Sequence, residues 1–330
     1  MHIRHILVFG ILFMAGFFET TSGQTAPSAI LAVDLENIVI YQQDTGDATK
    51  FATNPNRVAP PDIRNFVPVI WLADIVAVNG KPAKGTWTVR GTLLFRGTAL
   101  SPGTAVADSG AAFFFDWVFD VRQVDGTQVG TIMASGWGGA AKPPGSPVSF
   151  LQANMSVTGG TGAFLGVRGQ GAQGGNFIDG RVASMTEDPA YRRINGGGSR
   201  RYVFHLLPME RPEIVSVWHS DFTPVSAAKP ARADEILIVS ARGLGPTRPG
   251  IDPGASFPAT PPQIVNSPVE VTVGGQRVEP INQIGWPGEQ NLYRLDFRMP
   301  NTTGSTAPVQ LTAAWISGPA FTLPVQTPVP

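Results

Sequence analysis

The sequence predicts an all-β protein built from two units, and three observations carry that prediction. Glycine and proline number 38 and 30 among 330 residues while helical periodicity is hard to find, a combination that belongs to many strands joined by turns. Residues 150 to 171 read Phe-Leu-Gln-Ala-Asn-Met-Ser-Val-Thr-Gly-Gly-Thr-Gly-Ala-Phe-Leu-Gly-Val-Arg-Gly-Gln-Gly. Leu151, Ala153, Met155 and Val157 alternate with polar neighbours, Gly159, Gly160 and Gly162 allow the positive φ of a turn, and Phe164 opens a second extended run. The return strand, with Gly166, Gly169 and Gly171, carries little side chain, which suits a bend or close backbone approach in a small closed barrel. Finally, Pro208 to Glu213 interrupts the chain and a second set of alternating strands follows.

The chain starts with His2, Arg4 and His5, then the apolar run Ile6 to Phe18, then Thr21-Ser-Gly23 before Gln24. A basic start, a short apolar core and small residues at a cleavage point predict a secretory signal peptide over 1–23, followed by a linker over 24–30. The apolar run is about 13 residues, short of the roughly 20 that a spanning helix needs, so no membrane span is expected after cleavage. With no cysteine, an exported chain relies on burial rather than disulfides, which fits a secreted, periplasmic or cell-envelope protein. A formal net charge of zero gives no basic surface for nucleic acid.

In the first unit, Leu35 to Tyr41 forms an apolar strand ending at Gln42-Gln43-Asp44, and 45–65 is a polar, proline-bearing loop. Trp71 to Val78 runs into Asn79-Gly80, a pair suited to a tight hairpin turn. From Thr86 the alternation is regular, with Trp87, Val89, Gly91, Leu93 and Phe95 on one face. The next strand places Phe113, Phe115, Trp117, Phe119 and Val121 on one face and Phe114, Asp116, Val118, Asp120 and Arg122 on the other. Asp125-Gly126 predicts a type I′ turn before Thr127 to Trp137 returns. Apolar residues on both faces predict burial on both, one lining a barrel and the other meeting a neighbouring domain or a second copy. Arg201 to Leu207 would close the sheet.

The second unit contains Glu235-Ile-Leu-Ile-Val-Ser-Ala-Arg-Gly-Leu-Gly-Pro246, a hairpin over Val269 to Val278 turning at Gly274-Gly275, and strands over Leu292 to Met299 and Val309 to Trp315.

The run Val157 to Gly169 resembles the most recognisable segment of dirigent proteins and allene oxide cyclases. Ile38 to Asp44, Val69 to Asp74, Thr86 to Phe95 and Phe113 to Gly136 fall in that family's order. The resemblance implies an eight-stranded antiparallel β-barrel over 31–208, commonly oligomeric. Gly-Leu-Gly-Pro, Val-Thr-Val-Gly-Gly, the Trp-Pro-Gly-Glu-Gln loop and a strand ending in Met-Pro resemble the immunoglobulin-like carboxy-terminal domain of exported Solibacter-type proteins, related to IPT/TIG folds. That implies a β-sandwich over 209–330 acting as a spacer or binding module.

Chemistry is sparse. Position 165 is Leu where a dinucleotide fingerprint needs glycine, and no lysine follows as in a P-loop. Beyond the leader, histidine occurs only at His205 and His219, without metal-ligand spacing, and no Gly-x-Ser-x-Gly elbow is present. No cofactor or metal is therefore expected. The dirigent resemblance implies substrate-handling acids at Asp44 and Asp74 and an arginine at Arg168. A carboxylic acid in an apolar cavity would have a raised pKa and could protonate a carbonyl. Equally, Asp44 could end a strand in solvent, Asp74 bind a loop amide and Arg168 be an external charge. Gln43 and Leu165 depart from the family's usual His and Arg, which weakens the case for stereoselective coupling. Trp71, Trp87, Phe115 and Trp117 are the candidate ligand-binding rings.

These residues predict non-catalytic binding of a small apolar or phenolic molecule in the barrel, with a homo-oligomer as a further expectation. The alternatives are an allene oxide cyclase-like isomerase and a structural envelope or adhesion protein. A cavity with a buried carboxylate favours the enzyme, an apolar cavity without one favours binding, and a barrel filled by its own side chains favours structure.

Overall fold

The computed structural model describes residues 29–42, 66–95, 111–139, 154–252 and 254–326. The leader over 1–23, Asp44 and the loop over 45–65 lie outside the described residues.

The first sheet comprises β1 (Ala29–Gln42), β2 (Phe66–Val78), β3 (Lys81–Pro82), β4 (Lys84–Phe95), β5 (Ala111–Arg122), β6 (Gln128–Gly139), β7 (Asn154–Gly162), β8 (Arg168–Ile178), β9 (Arg181–Ser184) and β10 (Gly198–Leu207). Because β1 pairs with β10 and also with β2, the order β1-β2-β4-β5-β6-β7-β8-β10 returns to its start. The result is a closed, eight-stranded antiparallel barrel, the all-β architecture expected. The short β3 pairs with β2, and β9 runs parallel to the end of β1.

Alternation decides what fills the barrel. Phe115, Trp117, Phe119 and Val121 of β5 are buried inside, whereas Phe114, Asp116 and Val118 are exposed outside. Trp87 and Val89 of β4 stand opposite Phe119 and Trp117, and Gly91 stands opposite Phe115. A β-carbon at Gly91 would run into the Phe115 ring, so this glycine makes room for an aromatic neighbour. Arg90 and Asp116 pair at 3.3 Å on the outer surface. On β1 the phase shifts at a bulge between Leu35 and Ile38, with Asn37 at φ 57. Leu35 and Ile38 both reach the interior, while Val39 and Tyr41 are buried against the outer wall with Ala183.

Two turns differ from expectation. Gly159 and Gly160 lie within β7, and the connection to β8 is the turn Ala163–Val167, with Phe164 buried inside it. A β-carbon at Gly160 would meet the Phe164 backbone, so this glycine serves close packing and not a positive φ. At Asp125-Gly126 only Gly126 has positive φ, and Gly126 N–H donates to the Gln123 carbonyl at 2.9 Å. This is a type I turn closed by a left-handed glycine, longer by a residue than type I′. Asn79-Gly80 and Gly274-Gly275 are two-residue turns with positive φ at both positions, as their sequences predict.

The second unit contains β11 (Glu213–His219), β12 (Ile236–Arg242), β13 (Thr247–Arg248), β14 (Ile264–Val265), β15 (Val269–Val273), β16 (Gln276–Val278), β17 (Pro280–Gly285), β18 (Tyr293–Arg298), β19 (Thr306–Ala313) and β20 (Ile316–Pro324). They form sheets ordered β11-β12-β18-β17-β14-β13 and β16-β15-β19-β20. Leu237, Val239, Leu295 and Phe297 of one sheet pack with Val271, Val309 and Leu311 of the other.

The two units touch. The β5–β6 turn meets the second unit where Gln123 Nε2 donates to the Asn266 carbonyl at 2.6 Å and Arg248 donates to Thr127 Oγ1. Lys81, after the β2–β3 turn, pairs with Glu270. Ala314 and Ile316, at the β19–β20 turn, are 2% and 3% exposed and belong to the barrel's hydrophobic core. Ala314 and Trp315 both have positive φ, at 48° and 62°, a conformation that costs roughly 1–2 kcal/mol per non-glycine residue and is offset here by that burial. Replacing Ile316 with Ala is expected to cost about 2–5 kcal/mol and to split one calorimetric unfolding transition into two as the barrel and the sandwich uncouple.

Candidate functional site

The four candidate rings do come together. Trp71 lies 6.0 Å from Trp87 and 5.3 Å from Phe115, and Phe115 lies 5.6 Å from Trp117, all centroid to centroid. Trp87 continues to Tyr202 at 5.6 Å, and Phe119 meets Phe204 edge-on at 4.9 Å. Such tilted and edge-on pairs are how rings pack with one another. Trp87, Trp117, Phe119, Tyr202 and Phe204 are at most 1% exposed, so this part of the barrel is filled by its own side chains.

The filling leaves polar atoms unused. Among the described residues, the indole N–H groups of Trp71 and Trp87, Arg200 Nε and Gln173 Oε1 are buried without a hydrogen-bond partner. Arg200 faces inward on β10, in phase with Tyr202 and Phe204. Burial raises the Tyr202 hydroxyl's pKa, and Arg200 opposes that shift. A charged residue in phase with buried rings is legible in Arg200-Arg-Tyr-Val-Phe204, and it is the signal that reasoning from the motifs alone passed over.

Asp74 is on the outer wall of the barrel. Its Oδ1 accepts from Arg192 Nη2 and Arg193 Nη2, each at 2.7 Å, and its Oδ2 accepts from Arg193 Nε at 2.9 Å and Asn37 Nδ2 at 3.0 Å. Both arginines belong to the 3-10 turn Pro189–Arg193, which begins at Asp188, whose carboxylate accepts from Ala190 N–H at 2.8 Å. Burial works to raise the pKa of Asp74, but hydrogen bonds from Arg193, Arg192 and Asn37 prevail and hold it at about 2. The group is an ionised clamp, the opposite protonation state from that of a proton donor. Arg168 is also outside, donating to the carbonyls of Thr158 and Val167. Asp44 lies outside the described residues. Among the described residues no group of three or more His, Cys, Asp or Glu could hold a metal ion, and no helix is long and apolar enough to cross a membrane.

A groove of about 610 Å³ opens at the seam between the units. On one side are the Ala163–Val167 turn and Met209; on the other are the segment after β12 and the Phe257 and Tyr293 rings, which lie 5.2 Å apart. Gly245, at φ 89, approaches Ala163 closely enough that a β-carbon would crowd it, which gives the Gly-Leu-Gly-Pro motif its structural role. Leu165 and Met209 are 65% and 71% exposed at the lip. Tyr293 donates to the Gly245 carbonyl at 2.6 Å, and its hydroxyl is pushed up to about 12 by burial and then by Glu210. Glu210 in turn accepts from Asn291 Nδ2 at 3.2 and 3.3 Å. Glu210 and Asp252 line the groove, and no lysine or arginine among the described residues does.

No family model matches this chain, and no curated protein matches it. Among solved structures, the chain is similar to the Bacteroides ovatus mixed-linkage glucan utilization locus SGBP-B in complex with a mixed-linkage heptasaccharide. The identity is 13%, the TM-score 0.18, and the match covers 73% of this chain and 61% of that one. This chain thus spans less than two thirds of that structure's length.

The clamp at Asp74 has a pH signature. The folded carboxyl, lowered from 3.8 to about 2, binds its proton less readily than the unfolded one. Its stabilisation is therefore whole above the unfolded value and is lost as pH falls toward about 2. Asp74→Asn is expected to remove roughly 2 kcal/mol at neutral pH and to flatten the decline in stability between about pH 4 and pH 2, measured by urea unfolding across that range.

Proposed function

We propose that this chain is a non-catalytic binding protein that takes a small apolar or aromatic molecule in the groove between the barrel and the sandwich. The observation that carries this reading is the groove itself: about 610 Å³, walled by both units, with an apolar lining and a few polar groups, within the size range of small-molecule sites. Its rim carries carboxylates and amides without a basic residue among the described residues, so it suits neutral or cationic molecules better than anionic ones. The filled barrel then serves as a rigid support for one wall.

The same reading places the protein outside the cytoplasm, supported by the basic and apolar leader over 1–23. It takes 31–208 as a dirigent- or allene oxide cyclase-like barrel and 209–330 as an IPT/TIG-like sandwich, supported by the order of their motifs. An isomerase using a buried acid finds no support at Asp74, whose carboxylate is ionised. A structural envelope or adhesion role is the second reading, favoured by the aromatic filling of the barrel.

N-phenyl-1-naphthylamine, a neutral aromatic probe, is expected to bind saturably with a rise in fluorescence. Met209→Trp and Leu165→Asp, both at exposed positions, are expected to weaken it by about tenfold without changing the circular dichroism spectrum. Binding that is indifferent to both substitutions would overturn the groove as the site, and no binding at all would favour the structural role.

A further inference from the structure

The groove at the seam is uneven in its chemistry. Its walls are largely apolar, with Leu165 and Met209 exposed on one side and the Phe257 and Tyr293 rings on the other. Besides Tyr293, the ionisable side chains that line it among the described residues are two carboxylates, Glu210 and Asp252. Tyr293 spends its proton on the Gly245 carbonyl at 2.6 Å, so it offers neither of them a hydrogen bond.

No cation is set against either carboxylate. Glu210 accepts only from the neutral amide of Asn291, whose one nitrogen is shared between both oxygens at 3.2 and 3.3 Å, although a carboxylate offers about four acceptor positions. The Asp252 carboxylate has no hydrogen bond or ion pair among the described residues. Carboxylates against packed walls of the second unit are served differently: Glu235 meets His219 at 3.0 Å, Glu270 meets Lys81, and Asp296 takes two bonds from Arg294 at 2.9 Å. A carboxylate on an open surface needs no such partner, because water surrounds it. One at the rim of a groove has water on one side and an apolar wall on the other, and low-dielectric walls lined by one sign of charge focus its field. The effect reaches the ring at the groove wall, where Glu210 adds to burial in raising the Tyr293 hydroxyl to about 12.

We propose that the groove takes a small organic ammonium ion, its charged nitrogen at the rim formed by Glu210 and Asp252 and its apolar body against Leu165, Met209 and the Phe257 and Tyr293 rings. This rests on the groove being the binding site and narrows its ligand to one sign of charge. A primary ammonium brings three donors to oxygens that lack them, and its hydrogen bonds to carboxylates are charge-assisted. Aromatic rings beside the site also attract positive charge through their quadrupoles. An anion of the same shape would meet two like charges.

Titration calorimetry of the full chain at neutral pH with tryptamine, its neutral isostere tryptophol and the anion indoleacetate tests this. Tryptamine is expected to bind one to one, at least about tenfold more tightly than tryptophol, with indoleacetate weakest, and to displace N-phenyl-1-naphthylamine. The preference is expected to shrink in about 0.5 M salt, which screens charges at an exposed rim. Glu210→Gln, which keeps an acceptor for Asn291, combined with Asp252→Asn is expected to bring tryptamine to within about twofold of tryptophol. Both residues are exposed, and an unchanged circular dichroism spectrum checks the fold. Met209→Trp is expected to weaken tryptamine and tryptophol alike, as one shared groove requires. Saturable tryptophol binding with tryptamine no tighter would overturn this inference and leave the groove standing. A tryptamine preference that survives the double substitution would place the cation elsewhere and overturn it as well. Should neither these three nor N-phenyl-1-naphthylamine bind, the groove reading fails and this inference fails with it.

Discussion

The rest of the structure depends on the double pairing of β1. One strand supplies both edges that the sheet needs in order to close, with β10 on one side and β2 on the other. Closure removes the exposed edges that an open sheet presents to other chains. It also creates an inside that has to be filled from the strands themselves, because eight strands enclose only about enough width for side chains. The filling is aromatic, and the glycines opposite it follow from the same demand: Gly91 faces Phe115 and Gly171 faces Phe204, each where a β-carbon would strike the ring. A closed sheet also tolerates only so much regularity. The Asn37 bulge lets one strand serve the interior through Leu35 and Ile38 and the outer wall through Val39 and Tyr41.

That bulge ties the barrel wall to its covering turn. Asn37, in the left-handed region that asparagine tolerates, directs its amide to Asp74, and Asp74 holds Arg192 and Arg193 of a turn more than a hundred residues later. A carboxylate with one guanidinium largely buried and another at the surface is neutralised locally, which is why the cluster can be buried at all. At the other end of the barrel the constraint is steric. The β19–β20 turn accepts positive φ at Ala314 and Trp315, and the core contacts of Ala314 and Ile316 compensate. The groove is a by-product of that docking, since the Ala163–Val167 turn cannot lie flush against the segment after β12 everywhere at once.

Alternation within a strand was readable from the residues: the inward face of β5 and the two-residue turns at Asn79-Gly80 and Gly274-Gly275 needed only period-two patterning and turn chemistry. The absolute face was harder. Asp74 follows a strongly apolar run and could as well have pointed inward; only the register with Trp87 and Val89, which puts Ala73 and Trp71 inside, sends it out. The glycines at 159 and 160 misled because glycine marks both positive φ and close approach, and the composition of the run does not separate the two uses. Arg192 and Arg193 sat in what read as a loop, and their partner is 118 and 119 residues away, beyond any local pattern. The groove could not be seen at all, because its walls come from two units whose contact no motif announces.

The placement of the unpartnered polar atoms follows from what carries them. Trp71, Trp87, Gln173 and Arg200 belong to β2, β4, β8 and β10, each fixed by ladders on both sides. A side chain on such a strand can change rotamer only into a neighbouring ring, so its polar atom cannot relax toward a partner. Loop-borne groups have more of that freedom, and some have used it: Glu210 has found Asn291 and Asp188 has capped its own turn, although Asn266 Oδ1 and Ser267 Oγ, between β14 and β15, stay buried without a partner among the described residues. Donors left unmet among the described residues inside the barrel are therefore where the ladders hold the side chain too firmly for it to turn toward a partner, and the cost of leaving them unmet is offset by the close ring packing that the same rigidity secures.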